Sequence, residues 1–307
     1  MMNKVGIIGL GHVGATTALL MAQRGKVGKM VLVDQNTAKV KSEQLDLQDQ
    51  IAQLATDTSV VVQDYDSEQW DKITDLDVLI FCPGKIAALI DHGGNRDYEL
   101  NITSQIVKEV APKIKASKFA GIIVTITNPC DVIARLLQEQ TGFDQQRIVG
   151  TGTSLETARM RHAVGAATGH NYHDVQGYVF GEHGDSMFPV WSSVQIAGKP
   201  ITDFDVNLSQ LKQQIVTGGY TIMDGKHYTN NGIATRANLT TEAILSDAKR
   251  ALPVSAYDPD FKLYIGQLAI VGKNGIEKLV KLSLNKSEQH EYQIASKAIQ
   301  ANYEKVK

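Results

Sequence analysis

Short apolar runs recur through the first half of the chain at residues 5–8, 30–33, 60–62, 78–82, 121–127 and 148–151. Between them lie longer stretches of mixed polarity, such as 37–54 and 101–115, with the length and half-buried pattern of amphipathic helices. This alternation predicts strands joined by helices, hence a parallel, doubly wound sheet. Past residue 151 the pattern changes. A helical period covers 154–167, after which 174–180, 194–196, 279–284 and the run Val254-Ser255-Ala256-Tyr257 predict antiparallel strands separated by helical segments. No repeat, low-complexity tract or Pro/Ser-rich linker parts the two halves, so an extensive interface between them is expected, with a ligand cleft along it.

The first apolar run leads into Gly9-Leu10-Gly11-His12-Val13-Gly14, and the second ends on Asp34. The three glycines differ in what they make possible. Gly9 permits a tight turn, Gly11 lets the backbone approach a pyrophosphate, and Gly14 lets helix and strand pack closely. The helix opening at His12 and Val13 offers free N–H groups to the phosphates. Asp34 stands where a carboxylate hydrogen-bonds a ribose 2′-hydroxyl and repels a 2′-phosphate, which favours NAD over NADP. The bland alternative is a glycine-rich turn in an ordinary α/β protein; strand, spacing and acid together outweigh it. The fold class expected is thus α/β. A Rossmann-type NAD-binding domain spans 1–151, and an α+β substrate domain spans 152–307.

Composition narrows the partners. Of 307 residues, 43% are hydrophobic and 21% charged, with a formal net charge of −2, which makes no electrostatic case for nucleic acid or an anionic membrane. No apolar run approaches the length of a membrane span, and Met-Met-Asn-Lys runs straight into the first strand, so a cytoplasmic protein is expected. The two cysteines, Cys82 and Cys130, are too few for a disulfide framework or a cysteine-based metal site and read as buried free thiols. No metal is expected.

The chemistry-bearing residues lie further along. Gly181-Glu182-His183-Gly184-Asp185-Ser186 sets a histidine between glycines just beyond a strand, where imidazole can exchange a proton near neutral pH and a reacting group has room to approach. Glu156-Thr157-Ala158-Arg159 places a carboxylate and a guanidinium three apart on one helix face, a spacing that a plain intrahelical ion pair would also explain. Arg96 follows the loop from 83 to 95. Asn128-Pro129 ends the strand at 122–126, on the side of a parallel sheet that faces a ligand crevice.

Taken together, these motifs resemble the L-lactate/malate dehydrogenase family, in its order and at its approximate separations over nearly the whole chain. The resemblance implies that His183 donates the proton to a substrate ketone, that Glu156 orients its imidazole, and that Arg159 clamps the substrate carboxylate with its planar fork. It implies that Arg96 sits on a mobile loop that closes over the substrate and polarises the carbonyl. Asn128 would bond substrate or nicotinamide, Thr229 would line the substrate pocket, and Ile233 would contact the nicotinamide face. A small 2-oxo or 2-hydroxy acid is the implied partner, and a tetramer or dimer the implied assembly.

Two departures carry weight. The family's usual partner of the catalytic histidine is Asp, whereas position 156 is Glu, so one added methylene must be absorbed locally. The closing loop reads Lys85-Ile86-Ala87-Ala88-Leu89-Ile90-Asp91, apolar at Ala88 and Leu89, where malate enzymes carry Arg and lactate enzymes Gln. Burying a second substrate carboxylate there would cost several kcal/mol, whereas each buried methylene gains about 0.8 kcal/mol. Malate is therefore disfavoured. The loop, about three residues longer than in lactate enzymes, is similar to that of the L-2-hydroxyisocaproate dehydrogenase branch, which implies 2-oxo acids with larger aliphatic side chains. The alternatives are an L-lactate dehydrogenase and, from another class, a non-catalytic NAD-binding regulatory module. Arg161 matches one half of the family's sugar-bisphosphate site, but Gln176 stands where its histidine would be; no strong activation is expected, and Arg161 is assigned to a structural ion pair.

Overall fold

The computed structural model of the chain describes residues 2–85 and 96–307. Its first half runs β1 (Lys4–Ile8), α1 (His12–Arg24), β2 (Lys29–Val33), α2 (Thr37–Ile51), β3 (Ser59–Val62), β4 (Val78–Phe81), α3 (Arg96–Ala116), β5 (Ile122–Thr125), α4 (Cys130–Thr141) and β6 (Ile148–Gly150). Every residue of β4 and β5 is buried, as befits strands covered by helices on both faces. The helices begin and end on local signals. Asn36 accepts the Lys39 N–H to open α2, and Gly25, at φ 62°, closes α1 in the left-handed conformation that a side chain resists.

The second half starts with α5 (Ser154–Thr168) and continues through β7 (Val175–Gln176), β8 (Val179–Phe180), β9 (Phe188–Pro189), β10 (Gln195–Ile196), β11 (Lys199–Pro200), α6 (Leu208–Lys226), α7 (Asn231–Leu245), β12 (Arg250–Asp258), β13 (Leu263–Gly272), β14 (Gly275–Leu279) and α8 (Lys286–Glu304). Among the described residues, one sheet of nine strands has the order β14-β13-β12-β6-β5-β4-β1-β2-β3. Strands β1 to β6 pair in parallel, in the doubly wound order that opens a crevice between β1 and β4. The antiparallel ribbon β12–β13 then joins β6 at Ser255 and Gly150, so the second half extends the sheet of the first.

Two expectations fail here. Strand β13 lies outside the expected set, because ten residues buried almost throughout show no alternation. The segment 279–284, expected as a strand, contributes only Leu279; the pairing strand ends there. Val280 still donates to the Leu268 carbonyl at 2.8 Å, but Val280, Leu282 and Leu284 pack on the buried cluster of Phe180, Phe188, Val190 and Leu268, so their alternation records packing beyond the end of the strand.

Two buried clusters cover the faces of the large sheet, one holding Leu79, Phe81, Leu137 and Tyr264, the other Ile7, Met30, Ile80 and Val254. A third, with Met160, Val164, Leu211 and Ile215, fixes α5 against α6. Among the described residues no helix is long and apolar enough to cross a membrane.

Candidate active site

The glycine-rich turn leaves β1 at the crevice. Gly9 has φ +89°, and a Cβ there would lie 2.7 Å from the backbone of Pro83. At Gly14 a Cβ would meet the Gly9 carbonyl oxygen at 1.9 Å, so helix α1 approaches the turn as only glycine allows. Gly11 is different: a Cβ there would meet nothing within 4 Å. Its open side leaves the backbone approachable by a ligand as bulky as a pyrophosphate. Asp34, at the end of β2, accepts the Leu10 N–H at 2.6 Å through one oxygen and the Asn36 N–H at 2.8 Å through the other. The carboxylate is thereby held beside the turn.

The cleft that follows is lined by Gly9, Gly11, His12, Val13, Asp34 and Asn128, with Tyr65 and Ile106 on its outer wall. These residues fit a dinucleotide: open backbone at the turn, a fixed acid at one end and apolar walls. His12 stacks face to face on Tyr228, ring centroids 3.5 Å apart, while Asn230 donates to the Thr16 hydroxyl at 2.8 Å. The segment carrying Thr229 is thus fastened to helix α1. Cys82 lines this cleft and Cys130 is buried; both are free thiols, pushed up to about 12 by burial.

A second pocket adjoins the first and shares Val13, Asn128 and Thr229 with it. It brings together His183, Glu156, Arg159, Arg96, Asn128, Thr229 and Ile233. Residues from five separate segments of the chain therefore meet at one place. Helix α5 supplies Glu156 and Arg159 from adjacent turns, and the loop after β8 supplies His183. The Nδ1 of His183 lies 3.1 Å from Glu156 Oε2, and the other oxygen of Glu156 accepts from Arg159 at 3.2 Å. The longer glutamate thus bridges the imidazole and the guanidinium with its two oxygens.

Electrostatics follow from that contact. The buried Glu156 carboxylate raises the proton affinity of His183 above its ordinary value, outweighing desolvation. Burial pushes Glu156 upward in turn, but the attraction of His183 and Arg159 is stronger and holds it below the usual glutamate range. The group closest to a charged imidazole is thus itself charged.

Arg96 departs from expectation. It is the first residue of helix α3, and its exposed guanidinium pairs with Glu99 at 2.8 Å. Its assignment to the closing loop is corrected to a helix N-terminus at the pocket's rim. Arg161 is corrected too: it donates to the Gly177 carbonyl at 3.5 Å, and among the described residues no carboxylate lies within ion-pair reach. Ala88 and Leu89 lie outside the described residues. The Asn128–Pro129 peptide is cis.

Sequence reasoning missed three contributors. Asp131, 2% exposed, accepts the backbone N–H of His183 at 3.0 Å. Ser255, on β12, donates to the same carboxylate at 2.5 Å. Asp131 follows Asn128-Pro129 in the first turn of α4, a position that reads as a favourable dipole contact and does not announce a distant partner. The third contributor is Gly218-Gly219 on α6. A Cβ at Gly219 would sit 3.1 Å from the Arg159 guanidinium, so the pair keeps space open over it. The doublet reads in sequence only as a weak spot in a helix.

A model of the lactate/malate dehydrogenase NAD-binding domain matches residues 3–150, and a model of the lactate/malate dehydrogenase alpha/beta C-terminal domain matches 153–307. The L-lactate dehydrogenase of Fusobacterium nucleatum subsp. nucleatum is 33% identical over 306 residues, spanning 95% of this chain and 93% of that protein. The crystal structure of the minor L-lactate dehydrogenase of Enterococcus mundtii superposes with a TM-score of 0.87 at 30% identity, covering 100% of this chain and 99% of that one. Cryptosporidium parvum malate dehydrogenase gives a TM-score of 0.91 at 27% identity, with the same coverage. With both halves matched in order, the chain belongs to the lactate/malate dehydrogenase family and is an NAD-dependent 2-hydroxyacid oxidoreductase.

Proposed function

We propose that the enzyme reduces 2-oxo acids with medium or branched aliphatic side chains, an activity of the L-2-hydroxyisocaproate dehydrogenase kind. The observation that carries this reading is the apolar share of the pocket that holds Arg159. Leu155, Met187, Val216, Met223 and Ile233 line it, and Gly218-Gly219 leaves room above the guanidinium. Beyond Arg159 and Arg96, which this reading assigns to the first carboxylate and the carbonyl, the described lining holds no cation for a second substrate carboxylate, whereas an aliphatic chain gains about 0.8 kcal/mol per methylene buried. In the sequence Ala88 and Leu89 are apolar, and by the family resemblance that favours the same substrates.

In this reading Arg159 binds the substrate carboxylate as a planar fork, and Asn128 and Thr229 orient the substrate at the junction with the cofactor cleft. Gly9, Gly11, His12, Val13, Gly14 and Asp34 hold the dinucleotide, and Ile233 packs against its nicotinamide. The cofactor supplies the hydride. His183, charged beside Glu156, gives its Nε2 proton to the carbonyl oxygen as that oxygen gains negative charge, and Arg96 swings from Glu99 to polarise the same atom. The division at 151/152, a cytoplasmic setting where both thiols stay reduced, and a homodimer or homotetramer belong to the proposal.

Initial rates of NADH oxidation with pyruvate, 2-oxobutyrate, 2-oxo-4-methylpentanoate, phenylpyruvate and oxaloacetate test it as kcat/KM. The larger aliphatic acids are expected to exceed pyruvate, and oxaloacetate to be poorest. A sharp pyruvate preference would replace the reading with L-lactate dehydrogenase, which the names of the bacterial relatives favour. Cofactor binding with no turnover on any acid would instead favour a regulatory module.

A further inference from the structure

His183 is gripped at two ends. Glu156 holds its ring from helix α5, and Asp131 holds its main chain from helix α4. The second grip belongs to a chain of contacts crossing the molecule: Ser255 on β12 donates to Asp131 Oδ1, and Asp131 Oδ2 accepts from the His183 N–H. The loop has a fixed origin, since Gly181 exchanges both main-chain hydrogen bonds with Gly266 on β13. Beyond that bridge regular pairing stops until Phe188, and Asp131 reaches into the gap at the residue that bears the imidazole.

We infer that Asp131 is a positioning residue, anchoring the His183 backbone so that the imidazole meets Glu156 on one side and the substrate on the other. This rests on the proposed role of His183 as proton donor. The role requires an acceptor aimed at one N–H and a fixed partner for the other oxygen. Asn meets both conditions, because its carbonyl can accept from His183 while its amide donates to the Ser255 hydroxyl, which accepts as well as donates. Ala meets neither. It leaves a buried N–H unpaired and frees the loop, and a displacement of about 1 Å at a reacting group can cost roughly 10²-fold in rate.

The test uses the full-length enzyme and the variants Asp131→Ala, Asp131→Asn, Ser255→Ala and His183→Asn. NADH affinity by fluorescence, kcat, KM and the primary isotope effect with NADH deuterated at the transferring position are measured. Asp131→Ala is expected to lower kcat roughly 10²-fold. Its NADH affinity should stay unchanged and its isotope effect rise, because misplacement slows the chemical step alone. Asp131→Asn should restore most of the rate, and Ser255→Ala should show a smaller loss with the same rise in isotope effect. If Asp131→Ala does not fold, Ser255→Ala carries the test. Wild-type kcat in the folded variants overturns the inference, as does an Asp131→Asn enzyme as slow as Asp131→Ala, which would assign the effect to charge. His183→Asn separates the two levels: full activity there removes the donor reading and the inference with it, whereas a slow His183→Asn beside a fast Asp131→Ala removes the inference alone.

Discussion

The cofactor cleft and the substrate pocket share a wall yet are built from different materials. The cleft is made largely of main chain: a turn that glycine alone permits at positions 9 and 14, a helix N-terminus, and one acid fixed by two N–H groups. The pocket is made of side chains from α3, α5, α6, α7 and the loop after β8, brought together by tertiary packing. Backbone constraints act over a few residues and tolerate few replacements. Side-chain constellations depend on long-range packing, and here they absorb a changed partner at Glu156.

The largest effects that would break this contrast lie in the pocket. His183→Asn should lower turnover by roughly 10²–10⁴-fold, the range lost with a positioned proton donor. Glu156→Gln should lose most of the turnover, roughly 10²–10⁴-fold, since the imidazole loses the charge beside Nδ1 but keeps a partner of similar shape. Steady-state kinetics checks both, and unchanged turnover in Glu156→Gln would remove that residue from the mechanism. NADH affinity should hold in both variants, because neither side chain lines the glycine-rich turn.

A pair of alanine substitutions then separates the glycines. Gly14→Ala sets a methyl 1.9 Å from a carbonyl oxygen, so the helix must move away from the turn. A loss of about 1–3 kcal/mol in stability is expected, with weaker NADH binding. Gly11→Ala meets no protein atom within 4 Å and should leave the melting temperature unchanged, yet in the proposed binding mode its methyl stands where phosphate approaches, so NADH affinity should fall alone. Thermal denaturation and fluorescence titration distinguish the two, and equal melting losses would refute the division of labour.

The same division explains what the sequence disclosed. The parallel half is legible because each strand is a continuous apolar run bounded by polar helices, and the dinucleotide turn because its geometry is local. Strand β13 is not, because full burial erases the alternation that marks a strand. His183, Glu156 and Arg159 stand out through their neighbours in sequence. Asp131 and Ser255 do not, since 124 residues separate them and neither has a local peculiarity. The same holds for the space over Arg159, which glycines on another helix keep open.

The smallest effect is a displacement of pH dependence, and its sign follows from the Glu156–His183 contact. The ordinary imidazole value is 6.5, and Glu156 raises it in the folded protein. In the proposed mechanism reduction of a 2-oxo acid needs the charged imidazole, so its rate should hold below that raised value and fall as pH rises through it. Oxidation of the hydroxy acid needs the neutral ring and should rise over the same interval. In Glu156→Gln the largest cause of the elevation is gone, leaving only the weaker pull of Asp131 against desolvation and the Arg159 charge, and the midpoint should move to lower pH in both directions of reaction. Stability carries the same signature. A raised histidine contributes fully below 6.5 and loses its contribution as pH rises through its folded value. A lowered glutamate contributes fully above its unfolded value of 4.5 and loses its contribution as pH falls through its folded one. The pair therefore adds most between 4.5 and 6.5. The melting temperature of the wild type relative to Glu156→Gln should be highest in that window and narrow above it. A difference that widens with rising pH would mean that the histidine is neutral in the folded state, which would undo the assignment of charge on which proton donation rests.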